Sequence, residues 1–182
     1  MDWTLRLASD ADVPALAALI PLSVRTLQAA HYSPAQMDAA LGPVFGVDRQ
    51  LIRDGTYFVA IAADGTLVGA GGWSQRQSLF GGDAARAGED ALLDPRREAA
   101  RVRAFFVHPD WARRGIGGAI LAACEAALAA AGFRRAELVA TLAGEPLYAR
   151  GGYGAVRRYA IDLPGGLTLP VVAMAKAVGR DA

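Results

Sequence analysis

The sequence is poor in the residues that build metal sites and disulfide frameworks. It contains a single cysteine, Cys124, and only 2 histidines among its 182 residues. One cysteine excludes an intramolecular disulfide, and no cluster of cysteine and histidine has the spacing of a zinc site. We therefore expect no metal.

The chain also lacks a strong excess of either charge and any membrane-length apolar run. Its net charge is +1, so no overall field attracts nucleic acid or a membrane surface. The most apolar run, GIGGAILAACEAALAAAG, is interrupted by Glu125 and is too short to span a bilayer. The opening residues, MDWTLRLASDADV, are unlike a secretory signal. We predict a cytoplasmic protein with no nucleic-acid or membrane partner.

What the chain does contain is enough apolar sequence for a core. The apolar fraction of 53% suits one globular domain over residues 1–182. A short strand candidate, TLRLA, comes first, and two helical patterns, PALAALIPLSV and PAQMDAAL, follow it. Ser33 and Pro34 begin the second helix, whereas Pro21 is expected to bend or end the first.

A hairpin and a long connection come next. In TYFVAIAADGTLVGAGGW, Asp64 and Gly65 join two apolar runs, which is the strongest hairpin signal in the sequence. Residues 74–100 carry only a hint of helix, at EDALL. A connection of this length is more typical of a lid or a binding loop than of a plain turn.

The rest of the chain alternates strands and helices. RVRAFFV is a strand, and it precedes a helix whose buried stripe is Ile120, Leu121, Cys124 and Leu128. RRAELVATL, GYGAVRRYAIDL and LTLPVVAMAKAV are further strands, and PLYARG is a short helical turn. This order predicts an α+β fold with a mixed, largely antiparallel twisted sheet flanked by helices.

The stretch WARRGIGGAIL, residues 111–121, places two arginines and a glycine cluster at the entrance of that helix. Unpaired N–H groups and the helix dipole attract anions there, and glycines let a phosphate come close. A glycine-rich turn with solvated arginines explains the stretch alone equally well. A P-loop would need lysine and then serine or threonine at Gly118 and Ala119, and a dinucleotide fingerprint would need glycine or alanine at Ile120.

A second motif, EPLYARGGYG, lies one strand further along. Together with HPDWARRGIGGAIL it resembles the GNAT superfamily of N-acetyltransferases over about residues 101–155. In that family Q/R-x-x-G-x-G/A opens the helix that binds the pyrophosphate of acetyl-CoA, and Y-x-x-x-G-F/Y supplies a tyrosine next to the thioester. The matching residues here are Ala112, Gly115, Gly117, Tyr148, Gly152 and Tyr153.

The resemblance implies a GNAT-like fold, acetyl-CoA as co-substrate and direct acetyl transfer to an amine of a small molecule or a peptide. It also implies a possible homodimer. The strand RVRAFFV is expected to splay from its neighbour and to pair its backbone with the pantetheine arm. The implied cofactor-binding residues are Phe105, Val107, Arg113, Arg114, Gly115, Ile116, Gly117, Gly118, Ala119 and Thr141.

Two departures from the family pattern concern the cofactor. Ala112 stands where the family usually has glutamine or arginine, so one side-chain contact to phosphate is missing. Thr141 stands where the family often has asparagine, and its hydroxyl reaches less far. Because most donors of the loop are backbone N–H groups, we still expect it to bind the diphosphate.

The resemblance makes Tyr148 the general acid that protonates the departing thiolate, and Tyr153 is expected in the core. The general base is open. Family members often have a glutamate early on the cofactor strand, where this chain has Arg101 and Arg103. Glu145 is the first alternative, because it precedes Tyr148 by one helical turn.

The other candidates for the base are weaker. Glu98 lies on the long loop, and His31 lies near the helix junction where family acceptors often bind. His108 is expected to be a loop residue held by backbone hydrogen bonds, and a water chain without a dedicated base is the remaining alternative.

The acceptor itself is not readable from the sequence. His31, Tyr32 and residues 74–100 are expected to shape its pocket. Arg103 either points to solvent or meets an anion such as an acceptor carboxylate. A competing function is a sensor that binds acyl-CoA without turnover.

Overall fold

The computed structural model describes residues 2–88 and 90–179. Its strands are β1 (Trp3–Leu7), β2 (Tyr57–Ala62), β3 (Leu67–Ser74), β4 (Ala100–Val107), β5 (Arg135–Thr141), β6 (Gly154–Asp162) and β7 (Thr168–Ala177). They form one seven-stranded sheet in the order β1-β2-β3-β4-β5-β7-β6. Neighbouring strands are antiparallel except β4 and β5, which are parallel. The mixed, largely antiparallel sheet predicted from the sequence is confirmed.

Helices pack on both faces of this sheet. They are α1 (Val13–Leu27), α2 (Pro34–Ala40), α3 (Arg49–Arg53), α4 (Ile116–Ala130) and α5 (Glu145–Arg150). One core cluster lies beneath α4 and includes Ile120, Leu128 and Phe133. A second lies beneath α1 and α2 and includes Leu16 and Met37. The predicted helices are present, whereas α3 was not predicted because 5 residues are too few to show a periodic stripe.

Pro21 lies inside α1, and the helix continues beyond it to Leu27. The expectation that Pro21 would end the helix is therefore wrong. A proline inside a helix removes one backbone N–H donor and crowds the preceding turn. Ile20 and Val24, on either side of it, are almost completely buried, so the packing of α1 on the core outweighs that local loss.

The long connection over residues 74–100 has more structure than the sequence predicts. It contains a 3₁₀ turn at Asp83–Ala85 and an isolated antiparallel bridge between Arg76 and Leu92. The helix suggested by EDALL is absent over residues 90–93, and Glu89 lies outside the described residues. This segment is held by buried side chains such as Leu93 and by ion pairs such as that of Arg86 with Asp48, and not by regular helix or sheet hydrogen bonds.

Glycines on β3 allow α4 to lie close against the sheet. A Cβ on Gly69 would lie 2.5 Å from Cγ2 of Ile116, and one on Gly71 would lie 2.8 Å from Cγ2 of Ile120. Real Cβ atoms do not approach side chains this closely. The close contact brings the first turn of α4 beside the middle of the sheet.

The parallel strands β4 and β5 separate soon after they meet. Their pairing is limited to Ala100 with Ala136 and Arg101 with Glu137. Beyond this point the register between β3 and β4 shifts, and Ala104 adopts a φ of 60°. The Tyr57 hydroxyl donates a hydrogen bond of 3.1 Å to the Ala104 carbonyl. This bulge in β4 accompanies the splaying that the sequence resemblance implied.

Candidate active site

A cavity of about 680 Å³ lies where β4 and β5 diverge. It reaches from the first turn of α4 to the C-terminal end of α1. We call one end the α4 side, which is lined by Trp111, Arg113, Gly115, Ile116, Gly117, Gly118, Leu147, Tyr148 and Arg150. We call the other end the α1 side, which is lined by Leu27, Gln28, Val44, Phe45, Leu79, Phe80, Ile161, Leu169 and Val171.

The backbone turns sharply just before α4. Gly115 is the N-cap residue and has a φ of 83°, which glycine adopts without a steric penalty. Arg113 has a φ of 64°, which costs a non-glycine residue roughly 1–2 kcal/mol. Residues held in this region cluster at ligand-binding sites. The turn leaves the first N–H groups of α4 without partners in the helix, at its positive end.

The glycines of this turn differ in how much space surrounds them. A Cβ on Gly118 would meet nothing within 4 Å. A Cβ on Gly117 would lie 3.1 Å from Cδ2 of Leu147. Gly118 thus borders open cavity space in which a ligand can approach the backbone, whereas Gly117 accommodates the packing of α5 against α4.

Arginine side chains supply positive charge on the α4 side. Arg113 and Arg150 both line the cavity. Arg114 does not line it, because its guanidinium lies 4.8 Å above the Trp111 ring. Ala119 does not line it either. Arg150 was not predicted as a site residue, although its place in the motif PLYARG, two residues after Tyr148, was a usable signal.

Tyr148 lies on α5 at the middle of the cavity wall and is 7% exposed. Its ring contacts Phe105 edge-to-face at 5.7 Å and Tyr153 at 6.1 Å. Burial, and to a smaller extent Cys124, raises the pKa of the Tyr148 phenol well above its ordinary value. The phenol therefore stays protonated at neutral pH and presents an O–H donor. Tyr153 belongs to the core cluster beneath α4.

The backbone of β4 borders the opening between the strands. Phe105 and Val107 both line the cavity. The Val107 N–H donates a hydrogen bond of 3.2 Å to the Ser23 hydroxyl, which comes from α1. Sequence reasoning did not identify Ser23, because nothing in a single sequence pairs residues this far apart.

Thr141 also lines the cavity, at the end of β5. Its hydroxyl oxygen accepts a hydrogen bond of 3.1 Å from the Gly144 N–H. The side chain thereby holds the turn that leads into α5. The Thr141 hydroxyl thus forms a hydrogen bond, and its partner in this structure is the protein backbone.

The structure does not bring the candidate bases together in the cavity. Glu145 pairs with Arg158 at 2.6 Å and lies off the lining. Glu98 accepts a hydrogen bond of 2.7 Å from the Asp94 N–H. His31 is exposed, and Nδ1 of His108 accepts from the Asp110 N–H at 3.2 Å, as a satisfied loop histidine does. Among the described residues, the lining contains no aspartate, glutamate or histidine.

Arg103 neither points to solvent nor extends towards an acceptor. It is 6% exposed and forms an ion pair of 2.9 Å with Asp48. Its guanidinium also donates to the carbonyl oxygens of Ser78, at 2.5 Å, and Gly81. Burial lowers the pKa of Arg103 from its ordinary value, and Asp48 opposes that shift. The anion that Arg103 meets is thus a carboxylate of its own chain.

Asp48 organises this buried cluster. It is 1% exposed, caps α3 by accepting from the Leu51 N–H at 3.3 Å, and pairs with Arg86 at 2.5 Å. Arg86 and the carbonyl partners of Arg103 belong to the connection over residues 74–100. The cluster therefore ties that connection to α3 and to β4, next to the α1 side of the cavity.

Neither a metal site nor a membrane span is present in the part of the chain that the structure describes. No group of three or more histidine, cysteine, aspartate or glutamate residues is placed to hold a metal ion there. None of the described helices is long and apolar enough to cross a membrane.

Comparison with known proteins identifies the class. The sequence profile described as the Acetyltransferase (GNAT) family matches residues 23–153. This match covers most of the chain and includes both α4 and Tyr148. The chain therefore belongs to the GNAT family of acetyltransferases. A search of curated proteins found no match.

Solved structures agree on the fold. A GCN5-related N-acetyltransferase from Rhodopseudomonas palustris is 22% identical, with a TM-score of 0.72 over 98% of this chain and 97% of that one. A phosphinothricin acetyltransferase from Sinorhizobium meliloti, in complex with AcCoA, is 21% identical, with a TM-score of 0.65 over 98% and 90%. PaiA N-acetyltransferase from Thermoplasma acidophilum, in complex with coenzyme A, is 16% identical, with a TM-score of 0.65 over 97% and 99%.

Proposed function

We propose that the protein transfers the acetyl group of acetyl-CoA directly to a primary amine. The observation that carries this proposal is one continuous cavity, which joins the first turn of α4, the Tyr148 phenol and the gap between β4 and β5. A cofactor and an acceptor can enter from opposite ends of this cavity and meet beside Tyr148. Such an arrangement favours transfer without a covalent acetyl-enzyme.

The α4 side fits the diphosphate of acetyl-CoA. The left-handed turn at Arg113 and Gly115 leaves N–H donors unpaired, and the open space at Gly118 admits phosphate oxygens close to the backbone. Arg113 and Arg150 add charge on the same lining. Arg150 offers a positive side chain to offset the one that Ala112 lacks.

The backbone of β4 fits the arm that carries the thioester. Because β4 and β5 no longer pair beyond Arg101, the edge of β4 that faces β5 is open. The Val107 N–H, which donates to Ser23 in this structure, and the backbone at Phe105 are the groups that we propose for binding the arm. A backbone N–H aimed at the carbonyl oxygen stabilises negative charge that develops there.

Acetyl-CoA supplies an activated acyl group, and the chain supplies a donor for the leaving sulfur. An ordinary thiol has a pKa near about 8.5 and an ordinary phenol near about 10. Burial raises the pKa of Tyr148 further, so complete proton transfer to the thiolate becomes less favourable. We propose that Tyr148 acts mainly as a hydrogen-bond donor that stabilises the thiolate as it departs.

The identity of the general base remains a prediction. The position of Glu145, which pairs with Arg158 off the lining, gives no support to its role as the general base. We propose that an amine proton leaves through water, because no described residue of the lining is an aspartate, a glutamate or a histidine. Unchanged turnover in Glu145→Gln supports this route, whereas a loss of a hundredfold or more restores Glu145 as the base.

Calorimetric titration with acetyl-CoA, followed by assay of thiol release with an amine panel, tests the proposal. Tyr148→Phe should lower kcat by roughly a hundredfold, because it removes the hydrogen-bond donor that stabilises the departing thiolate, while the Kd for acetyl-CoA stays within about twofold. Failure of the wild-type protein to bind acetyl-CoA would refute the proposed function.

The same variant separates a sensor from an enzyme. A lining without an acidic or imidazole side chain among the described residues favours the sensor. A sensor should bind acetyl-CoA equally well with tyrosine or phenylalanine at position 148 and should acetylate no amine in the panel. Turnover that depends on Tyr148 supports the enzyme.

The homodimer implied by the family resemblance also remains a prediction. β6 forms one edge of the sheet, and most of its residues, including Val156, are exposed. An open strand edge is a surface on which a second strand can pair. Sedimentation of the purified protein decides between a monomer and a dimer.

A further inference from the structure

The α1 side of the cavity is apolar over most of its surface. Apart from Gln28, the side chains named for it are aliphatic or aromatic. The Ser23 hydroxyl, which also lines the cavity from α1, accepts the hydrogen bond from the Val107 N–H. Phe45 packs edge-to-face on Phe106 at 6.2 Å, and Phe80 is still 36% exposed on the same lining. An apolar or aromatic body can therefore be buried here with a gain from the hydrophobic effect.

Gln28 is the exception within this apolar wall. It ends α1, is 9% exposed and lines the cavity. Its side-chain oxygen is fully buried and has no hydrogen-bond partner among the described residues. A buried amide oxygen without a donor is unfavourable. Neither the oxygen nor the nitrogen of this amide forms a hydrogen bond within the described part of the chain, so rotation about the last side-chain bond can turn the oxygen towards the cavity.

The cationic side chain near this end already has an anionic partner. Arg103 of β4 lines the cavity next to this end. Its guanidinium is already paired with Asp48 and with two backbone carbonyl oxygens. Arg113 and Arg150 belong to the α4 side. A carboxylate or phosphate on the acceptor would thus lose its water shell at the α1 side without gaining a free cation.

We infer that the acceptor is a primary amine carried on an apolar, aromatic body without an anionic group, and that the Gln28 carbonyl accepts a hydrogen bond from the amine. This inference rests on the proposed function. The acceptor first loses one proton to water and becomes a neutral amine. Its nitrogen lone pair then forms a C–N bond to the acetyl carbon, and the C–S bond breaks. A second proton leaves the nitrogen through water, and the thiolate takes up a proton and departs as the CoA thiol.

Three amines test the class of acceptor, each assayed for thiol release with saturating acetyl-CoA. 2-Phenylethylamine has the apolar body alone, phenylalanine adds a carboxylate to it, and spermidine carries amines without it. We expect kcat/KM for 2-phenylethylamine to exceed those for the other two by at least tenfold. A preference for phenylalanine or spermidine would overturn the inference and leave the proposed function standing.

Variants test the role of Gln28. Gln28→Leu should raise the KM for 2-phenylethylamine about tenfold, while the Kd for acetyl-CoA stays unchanged. The matched control is Gln77→Leu, the same change at an exposed position outside the lining, which should alter neither value. An unchanged KM in Gln28→Leu would overturn the hydrogen bond that we assign.

Phe80→Ala gives a second measurement at a partly exposed position, where folding tolerates the change. It should reduce the preference for 2-phenylethylamine over propylamine, since it removes apolar surface from the pocket alone. An unchanged preference would overturn the apolar pocket. Failure of the wild-type protein to bind acetyl-CoA is the distinct outcome that refutes the proposed function, and this inference then falls with it.

Discussion

The two ends of the cavity are built in different ways. The α4 side comes mainly from a single stretch, residues 111–118, which leaves backbone N–H groups unpaired at the entrance of a helix. The α1 side collects side chains from α1, from residues 44–46 and 79–81, and from β6 and β7. A site made from a contiguous backbone tolerates sequence change, whereas one assembled from distant side chains can acquire a new specificity by a few substitutions.

The largest expected effect concerns the buried cluster of Asp48, Arg86 and Arg103, which lies next to the α1 side. Asp48→Asn leaves Arg86 and Arg103 buried without their carboxylate, and breaking a buried ion pair costs about 3–5 kcal/mol. Denaturant unfolding should show this loss. Acceptor KM should rise while acetyl-CoA binding to the folded fraction persists.

The control for this variant is Asp38→Asn, which removes an exposed pair with Arg25. Exposed pairs contribute about 0–1 kcal/mol, so stability should change little. Equal losses in the two variants would show that the buried cluster has no special role in holding the loop.

A charge at the glycine turn should affect only the α4 side. Gly118→Asp places a carboxylate in open space beside the proposed diphosphate site, and like-charge repulsion there should weaken acetyl-CoA binding roughly a hundredfold. Calorimetry measures the change. Gly154→Asp, at another glycine with open space around it, is the matched control and should bind normally, whereas equal binding by both variants would contradict the assigned site.

Replacing Arg150 should also weaken acetyl-CoA binding at the α4 side, but by a smaller factor. Arg150→Ala removes a cation from the lining and should weaken acetyl-CoA binding about tenfold, since hydrogen bonds to charged groups contribute roughly 1.5–3 kcal/mol. The inhibition constant of S-acetyl-pantetheine, which has no diphosphate, should be the same for this variant as for the wild-type protein. A parallel loss for both compounds would show that Arg150 acts on the shape of the cavity.

The smallest effect is expected at a pair remote from both ends. Asp12 accepts hydrogen bonds from Arg6 at 2.7 and 2.8 Å, and this contact, with help from Ser9, lowers its pKa to about 2. Because the folded-state pKa is depressed, the stabilisation is complete above the unfolded value near about 3.9 and is lost as pH falls through about 2.

Asp12→Asn should therefore be less stable than the wild type by about 1 kcal/mol at neutral pH, given the partial exposure of Arg6. The difference should shrink below about pH 4, and acid unfolding curves measure it. A difference that grows on acidification would contradict the assignment, and neither ligand should bind differently at pH 7.

The difference between the two ends also explains what the sequence revealed. Gly115 and Gly117 were recognisable because a backbone anion site leaves a contiguous signature, and Tyr148 follows at a fixed spacing. Strands and the main helices were predictable from periodicity. Pro21 does not end α1, because the local cost is outweighed by burial of its neighbours, which the sequence does not quantify.

Residues whose roles depend on distant contacts could not be found in this way. Ser23 meets Val107, and Asp48 meets Arg103, only after the chain has folded. For Arg103 the sequence left solvent and an anion as alternatives, and the anion could not be identified as Asp48 because Asp48 lies in the unpredicted cap of α3. The role of Gln28 could not be predicted from the sequence. Its amide stands out only because the fold places it, without a hydrogen-bond partner for its oxygen among the described residues, in an apolar wall.

The bulge at Ala104 keeps the cleft between β4 and β5 open through a backbone torsion. A φ of 60° at that residue, together with the hydrogen bond from the Tyr57 hydroxyl to its carbonyl oxygen, keeps β4 turned away from β5. The cofactor arm can therefore bind between the two strands without first breaking hydrogen bonds between them. Association of acetyl-CoA should accordingly follow a single exponential whose rate rises linearly with concentration, without a slow opening step.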